Sequence, residues 1–169
     1  VPGHPGPMRV MLQEGMNELP PATMSAGDVY ILNDPYRGGS HLPDIAVFRP
    51  IFHDGRLIVF AGCIIHYTDV GGMVAGSNPM TATELYQEGL VLPPVKLVDA
   101  GRENKTLVDL ICANVRGSEI FLGDMRPQQG ALMKGEQRLR DLLERYGHEG
   151  VTHAMELLNG AVQLARREQ

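Results

Sequence analysis

DIAVFRPIFHDGRLIVFAGCIIH, residues 44–66, is the stretch that decides the fold. Two runs rich in β-branched and aromatic residues, Ile45–Phe52 and Leu57–Ile65, flank Asp54-Gly55. Asp-Gly tolerates the positive φ angles of a tight turn, so in this setting it predicts a β-hairpin. Pro50 has no N–H to give to a ladder, so the first arm is expected to be an edge at that level. The second arm is apolar at nearly every position, as in a strand covered on both faces.

Outward from the hairpin, Val29–Leu32 and Val95–Val98 read as short strands. Met8, Met11, Leu12, Met16 and Leu19 recur at helical spacing, and Pro20-Pro21 ends that helix. Residues 67–94 carry Gly, Pro, Ser, Thr and Asn with little periodicity. They are expected to form a long loop with one helical turn at Thr83–Gln87. Lys105–Val115 reads as a helix. Leu139, Leu142, Leu143 and Tyr146 mark another, ended by Gly147. Val151, Ala154, Met155, Leu158, Ala161, Val162 and Ala165 mark a last helix, expected to pair with it as a hairpin. The fold class is therefore α+β: a hairpin-containing mixed sheet with a C-terminal helical hairpin. Residues 1–100 form a β-rich region and 101–169 a helical one.

A length of 169 residues suits one domain with a real core. The 15 Lys and Arg against 20 Asp and Glu leave a net charge of −5 with no basic block, so nucleic-acid binding has no electrostatic footprint. The longest apolar run falls far short of the roughly 20 residues that a membrane span needs. No signal peptide is visible at the N-terminus. Cys63 and Cys112 both lie in apolar runs and read as buried free thiols of a cytoplasmic protein. Burial raises a thiol pKa, so Cys63 is not expected to be a nucleophile. Neither a GxxxxGK[ST] loop nor a Gly-x-Ser-x-Gly elbow occurs, so any ATP dependence has to come from another chain.

Chemistry concentrates in NDPYRGGSHLPD, residues 33–44, and HYTDVGG, residues 66–72. His41 and Asp44 stand three apart around Pro43, a spacing that lets an imidazole and a carboxylate converge across a turn. The hairpin begins beside Asp44 and ends at His66. Its two outer ends lie side by side, so His41, Asp44 and His66 can meet. Imidazole with carboxylate suits Zn, Mn or Fe, whereas Ca wants oxygens only. A plainer reading stands beside this one. Asp34-Pro35 and Arg37-Gly38-Gly39 also fit ordinary turn chemistry, and His66 fits a strand-end histidine bonded to backbone. His53 belongs to the hairpin turn. His148 and His153 suit capping or surface roles. Tyr36 and Tyr67 flank the proposed site, to orient a substrate or to pack.

These motifs, with ELYQEGLVLPPVKL and NVRGSEIFLGDMRPQQGA further on, resemble the hydantoinase B/oxoprolinase family over essentially the whole chain. That family comprises B-type subunits of ATP-dependent hydantoin and lactam hydrolases, the matching half of 5-oxoprolinase, and large subunits of acetone and acetophenone carboxylases. Its members are longer, so the chain is expected to correspond to an N-terminal portion of a larger multi-domain subunit. The resemblance implies a divalent transition metal (Mn, Zn or Fe) on His41, Asp44 and His66, with a further carboxylate from upstream. Asp69, Tyr36 and Arg37 are the candidates for orienting substrate or metal ligands. The family often has His-His where this chain has His66-Tyr67. The resemblance also implies a hetero-oligomer with a hydantoinase A-type subunit, which uses ATP to activate a small cyclic amide that the B-type chain then opens. The alternatives are carboxylation of a small ketone and a truncated, non-catalytic form.

Overall fold

The Asp54-Gly55 turn closes with both residues at positive φ, 50° and 73°, as a two-residue hairpin turn demands. In the computed structural model the backbone is described for residues 5–167 and the side chains for residues 7–159. The elements run α1 (Pro5–Glu18), β1 (Val29–Leu32), β2 (Asp44–His53), β3 (Arg56–His66), β4 (Val95–Asp99), β5 (Arg102–Glu103), α2 (Lys105–Asn114) and α3 (Ser118–Arg167). Short 3-10 turns occur at Pro21–Thr23, Pro35–Arg37 and Leu85–Gln87. The strands form one sheet in the order β3-β2-β1-β4-β5. The α+β class holds, but every pairing is antiparallel, so the sheet is not mixed. The chain returns through hairpins and loops, with no helical crossover between paired strands, which leaves no parallel pair to make.

Register explains Pro50. The Tyr67 amide donates to the Pro43 carbonyl at 2.8 Å, which makes 43/67 a hydrogen-bonded pair. Hydrogen-bonded and non-bonded pairs alternate along an antiparallel ladder. Ile45/Ile65, Val47/Cys63 and Arg49/Ala61 are thus bonded pairs, and Pro50/Phe60 is not. The Pro50 nitrogen faces away from β3, at a level where β1 has ended: its pairing with β2 runs only as far as Tyr30↔Phe48.

Side chains alternate between two cores. On one face Tyr30, Leu32, Ala46 and Phe48 pack with Met11 of α1, and Phe60, Ile64, Leu12 and Met16 lie against them. Tyr30 and Phe48 stack at 5.0 Å. Gly15 makes room for this, because a Cβ there would stand 2.9 Å from the Phe48 ring. On the other face Ile31, Ile45, Val47 and Leu97 pack with Ile111 of α2 and with Phe121, Met125 and Leu132 of α3. Strand β3 is only partly covered on either face: its residues are half-buried or exposed, short of the full cover that its continuous apolar run predicts, because it is the outermost strand.

Helix α3 begins at Ser118, well before the periodic segment expected around Leu139. Gly123, Pro127 and Gly130 weaken the helical signal there. All three are exposed, on the side away from Phe121, Met125, Gln128 and Leu132, which are buried at helical spacing. The helix breaks at Gly147, φ 72°, where the sequence predicts a stop. By compactness the chain divides into Val1–Leu132 and Met133–Gln169. The boundary falls later than the change of texture at residue 100, because α2 and the first turns of α3 pack on the sheet. In the second unit, residues from either side of Gly147 line one apolar cleft of about 500 Å3, among them Leu139, Leu142, Val151 and Leu158. Ala161, Val162 and Ala165 lie outside the residues whose side chains are described.

Gln128 ties α3 to the hairpin. Its Nε2 donates to the carbonyls of Ile45 (2.9 Å) and Cys63 (3.0 Å), and its Oε1 accepts from the Tyr67 hydroxyl (2.8 Å). Gln128→Leu keeps the volume and strands the buried Tyr67 hydroxyl, so about 2 kcal/mol of stability should be lost, read as a lower urea midpoint. An unchanged midpoint would mean that the amide contributes nothing net.

Candidate metal centre

Asp44 opens β2 and His66 closes β3, and the register pairs them directly. Theirs is a non-hydrogen-bonded position, where opposed side chains approach most closely. His41 reaches the same point by a turn in which the Asp44 amide donates to the His41 carbonyl at 3.0 Å. Leu42, fully buried, anchors the turn in the core. Asn33 fastens it further: its Nδ2 donates to the carbonyls of Leu42 and Leu90, and its Oδ1 accepts from the Leu92 amide.

The three side chains converge. His41 Nδ1 lies 3.0 Å from Asp44 Oδ2, and His66 Nδ1 lies 3.1 Å from Asp44 Oδ1. The imidazoles stack at 4.9 Å with 26° between their planes. One ligand atom from each residue falls within 4.8 Å of the others. The Asp44 side chain is only 5% exposed, while those of His41 and His66 are 44% and 57% exposed. The carboxylate is thus the buried floor and the imidazoles are the rim. Ser40 Oγ donates to Asp44 Oδ2 at 2.5 Å and fixes its orientation.

The chemistry of the donors, two imidazoles and a carboxylate, suits a transition ion. Ligand bonds of about 2.1 Å give donor–donor edges of roughly 3.0 Å in octahedral and 3.4 Å in tetrahedral geometry. Each nitrogen–oxygen separation falls near the lower figure, but to a different oxygen of Asp44, and one donor atom from each residue spans up to 4.8 Å, so the side chains would close up around an ion. In the absence of an ion the same distances are ordinary hydrogen bonds.

The remaining candidates lie elsewhere. Tyr36 is 86% exposed, and Arg37 is paired with Glu18 and Asp34. These carboxylates raise the guanidinium pKa further. Asp34 caps the Pro35–Arg37 turn by accepting from the Tyr36 amide, so the turn reading of this segment is also realised. Tyr36 and Arg37 line an open cleft of about 670 Å3 whose opposite wall includes Glu84, Tyr86 and Val91.

Asp69 has a structural task. Its oxygens accept from the amides of Gly71, Gly76 and Arg116 and from the Arg116 guanidinium. A carboxylate offers about four acceptor positions, so none remains for a substrate. Burial pushes the Asp69 carboxyl up, but these donors outweigh it and hold it below the ordinary range. Arg116 also donates to the carbonyls of Gly72 and Val74, completing a clamp on the loop. Tyr67 turns away from the cluster: 1% exposed, it packs on Phe121 and bonds Gln128. Sequence reasoning missed Ser40, Arg116 and Gln128. Ser40 stood inside the motif, one residue before His41. The other two act across 47 residues or more, and no local pattern announces that.

The sequence profile of the hydantoinase B/oxoprolinase family matches residues 1–169. The chain is 39% identical over 156 residues to an uncharacterized protein of Methanocaldococcus jannaschii, covering 91% of this chain and 28% of that one. It is 42% identical over 129 residues to the caprolactamase subunit beta of Pseudomonas jessenii, covering 76% and 22%. The crystal structure of the ATP-dependent caprolactamase from Pseudomonas jessenii superimposes with a TM-score of 0.81 at 35% identity, covering 88% of this chain and 26% of that one. The chain spans from 12% to 28% of the length of these and other curated relatives it matches.

Proposed function

Because the chain belongs to the hydantoinase B/oxoprolinase family, we propose that it is the metal-bearing portion of a B-type subunit that opens a cyclic amide activated with ATP by an A-type partner. The observation that carries this reading is the convergence of His41, Asp44 and His66 within 4.8 Å. Two imidazole nitrogens and one carboxylate oxygen would be the ligands, and the exposed rim leaves room for a substrate oxygen. When bound there, a divalent transition metal supplies Lewis-acid polarisation of a carbonyl or phosphoryl oxygen. His41 and His66 would hold the ion from the exposed side. Asp44 balances its charge from below, and Ser40 keeps the carboxylate aimed. The partner transfers the γ-phosphoryl group of ATP to the amide oxygen. Water then adds to the activated carbon, the ring C–N bond breaks with the proton passing to the ring nitrogen, and the acyl phosphate left behind is hydrolysed by a second water to carboxylate and phosphate. Tyr36 and Arg37 line an open cleft with Glu84, Tyr86 and Val91, and we assign them to orienting the ring there. The hydrolase names of the relatives support this reading, as does the ATP-dependent caprolactamase likeness. No described helix is long and apolar enough to cross a membrane.

Elemental analysis of purified protein tests the proposal. Wild type should carry about one transition metal per chain, and His41→Ala and His66→Ala should each lose most of it. ATP-dependent ring opening with an A-type subunit should vanish in parallel. A metal-free wild type that stays so after exposure to Mn, Zn and Fe would sink the proposal and favour a non-catalytic form. Bicarbonate-dependent consumption of a ketone would replace it with the carboxylase reading.

A further inference from the structure

Strand β3 is the outermost strand of the sheet, and its outer edge is bare. The alternation set by the Tyr67–Pro43 bond directs the N–H and C=O groups of Ala61, Cys63 and Ile65 toward β2. Those of Phe60, Gly62, Ile64 and His66 therefore point outward. Among the described residues no backbone hydrogen bond and no strand meets that side. Proteins usually protect such an edge with lysines, prolines, bulges or a covering element. Here the only device is a bulge opposite Ile51/Phe52, at the far end. From Val59 to Ile65 there is no charge and no proline. Both faces of β3 are partly packed, by α1 residues on one side and α2 and α3 residues on the other, and the unpaired backbone groups point along the plane of the sheet, where a strand satisfies them.

We infer that the outer edge of β3 is paired by a further β-strand of the same subunit, from outside the 169 residues. A second copy is the weaker occupant. An eight-residue edge contact buries on the order of 500 Å2, well short of the roughly 1,200 Å2 of a stable interface. A strand on the same polypeptide has no association entropy to overcome. Relatives carry some three-quarters of their length beyond the matched stretch, ample for such a strand. Running along β3, it would pass His66 and close one side of the cluster. The sheet-edge geometry stands whether or not a metal binds there.

Hydrogen exchange at single-residue resolution tests this on the full chain encoded with this sequence. The outward amides of Gly62 and Ile64 should exchange as slowly as the inward amides of Ala61 and Cys63, within about tenfold, at every protein concentration. Alternation, with Gly62 and Ile64 exchanging about a hundredfold faster than their neighbours, would overturn the inference by showing a bare edge. Protection that disappears on dilution would overturn it in favour of a second copy.

Discussion

Asp44→Asn is expected to abolish metal uptake while leaving the chain folded. Asp44 is the one ligand shared by both contacts: each imidazole nitrogen meets one of its oxygens, and it is the only carboxylate of the three. The amide keeps the shape and one acceptor oxygen for Ser40 but removes the negative charge that faces a divalent ion. The metal content should fall from about one per chain to below about 0.1, and ring opening should fall by roughly a thousandfold or more. Circular dichroism should be unchanged. Ser40→Ala is the graded companion. It removes the hydrogen bond that orients the carboxylate, and loss of such an outer partner costs about 10–100-fold in metal affinity. If Asp44→Asn retained its ion, the metal would have to be held elsewhere. If Ser40→Ala bound as tightly as wild type, Asp44 would be held by the turn alone.

Asp28→Ala should be the most destabilising single change, because no other described carboxylate is so completely enclosed. Asp28 is 0% exposed and accepts from the amides of Ser25 and Ala100, from the Tyr30 hydroxyl and from Lys96. Truncation leaves two amides and a buried phenol without their acceptor and deprives Lys96 of one of its two carboxylate partners. Loss of one partner from a buried pair costs about 3–5 kcal/mol, a large part of a typical stability of about 5–15 kcal/mol. The same residue gives a pH signature. Burial pushes the Asp28 carboxyl up, but the two amides, Lys96 and Tyr30 pull harder, and its pKa lies below the ordinary value of 3.8. A depressed folded pKa means stabilisation present above the unfolded value and lost as the pH falls below about 4 toward the folded value. Urea midpoints of wild type should therefore fall between neutral pH and about pH 3 more steeply than those of Asp28→Asn, which has no proton to gain. Parallel slopes would show that Asp28 does not report on acid unfolding. Asp69 titrates in the same sense in both proteins, so the comparison isolates Asp28.

The cluster of His41, Asp44 and His66 was legible because it is nearly local. His41 and Asp44 are three residues apart, and His66 is their neighbour through a hairpin whose turn residues, arm composition and lengths all stand in the chain. The roles of Asp69 and Tyr67 were not legible. Both lie within the His-x-x-Asp-x-Gly-Gly pattern and look like site residues. Asp69 is drawn into a clamp by Arg116, and Tyr67 is drawn into the core by Gln128 and Phe121. The first half of α3 escaped notice because glycine and proline on its exposed side diluted a buried stripe at 121, 125, 128 and 132.

By itself, then, the sequence determined the hairpin, the helix stops at Pro20-Pro21 and Gly147, and the convergence of two imidazoles with one carboxylate. Each follows from short-range sterics or from a period that a few neighbouring residues define. Only the tertiary structure decided that β3 is the sheet edge, that α3 seats Gln128 on the hairpin, and that Asp69 holds a loop. Strand order and long-range bonds depend on which distant surfaces bury one another, and that free energy is shared among residues far apart in the chain.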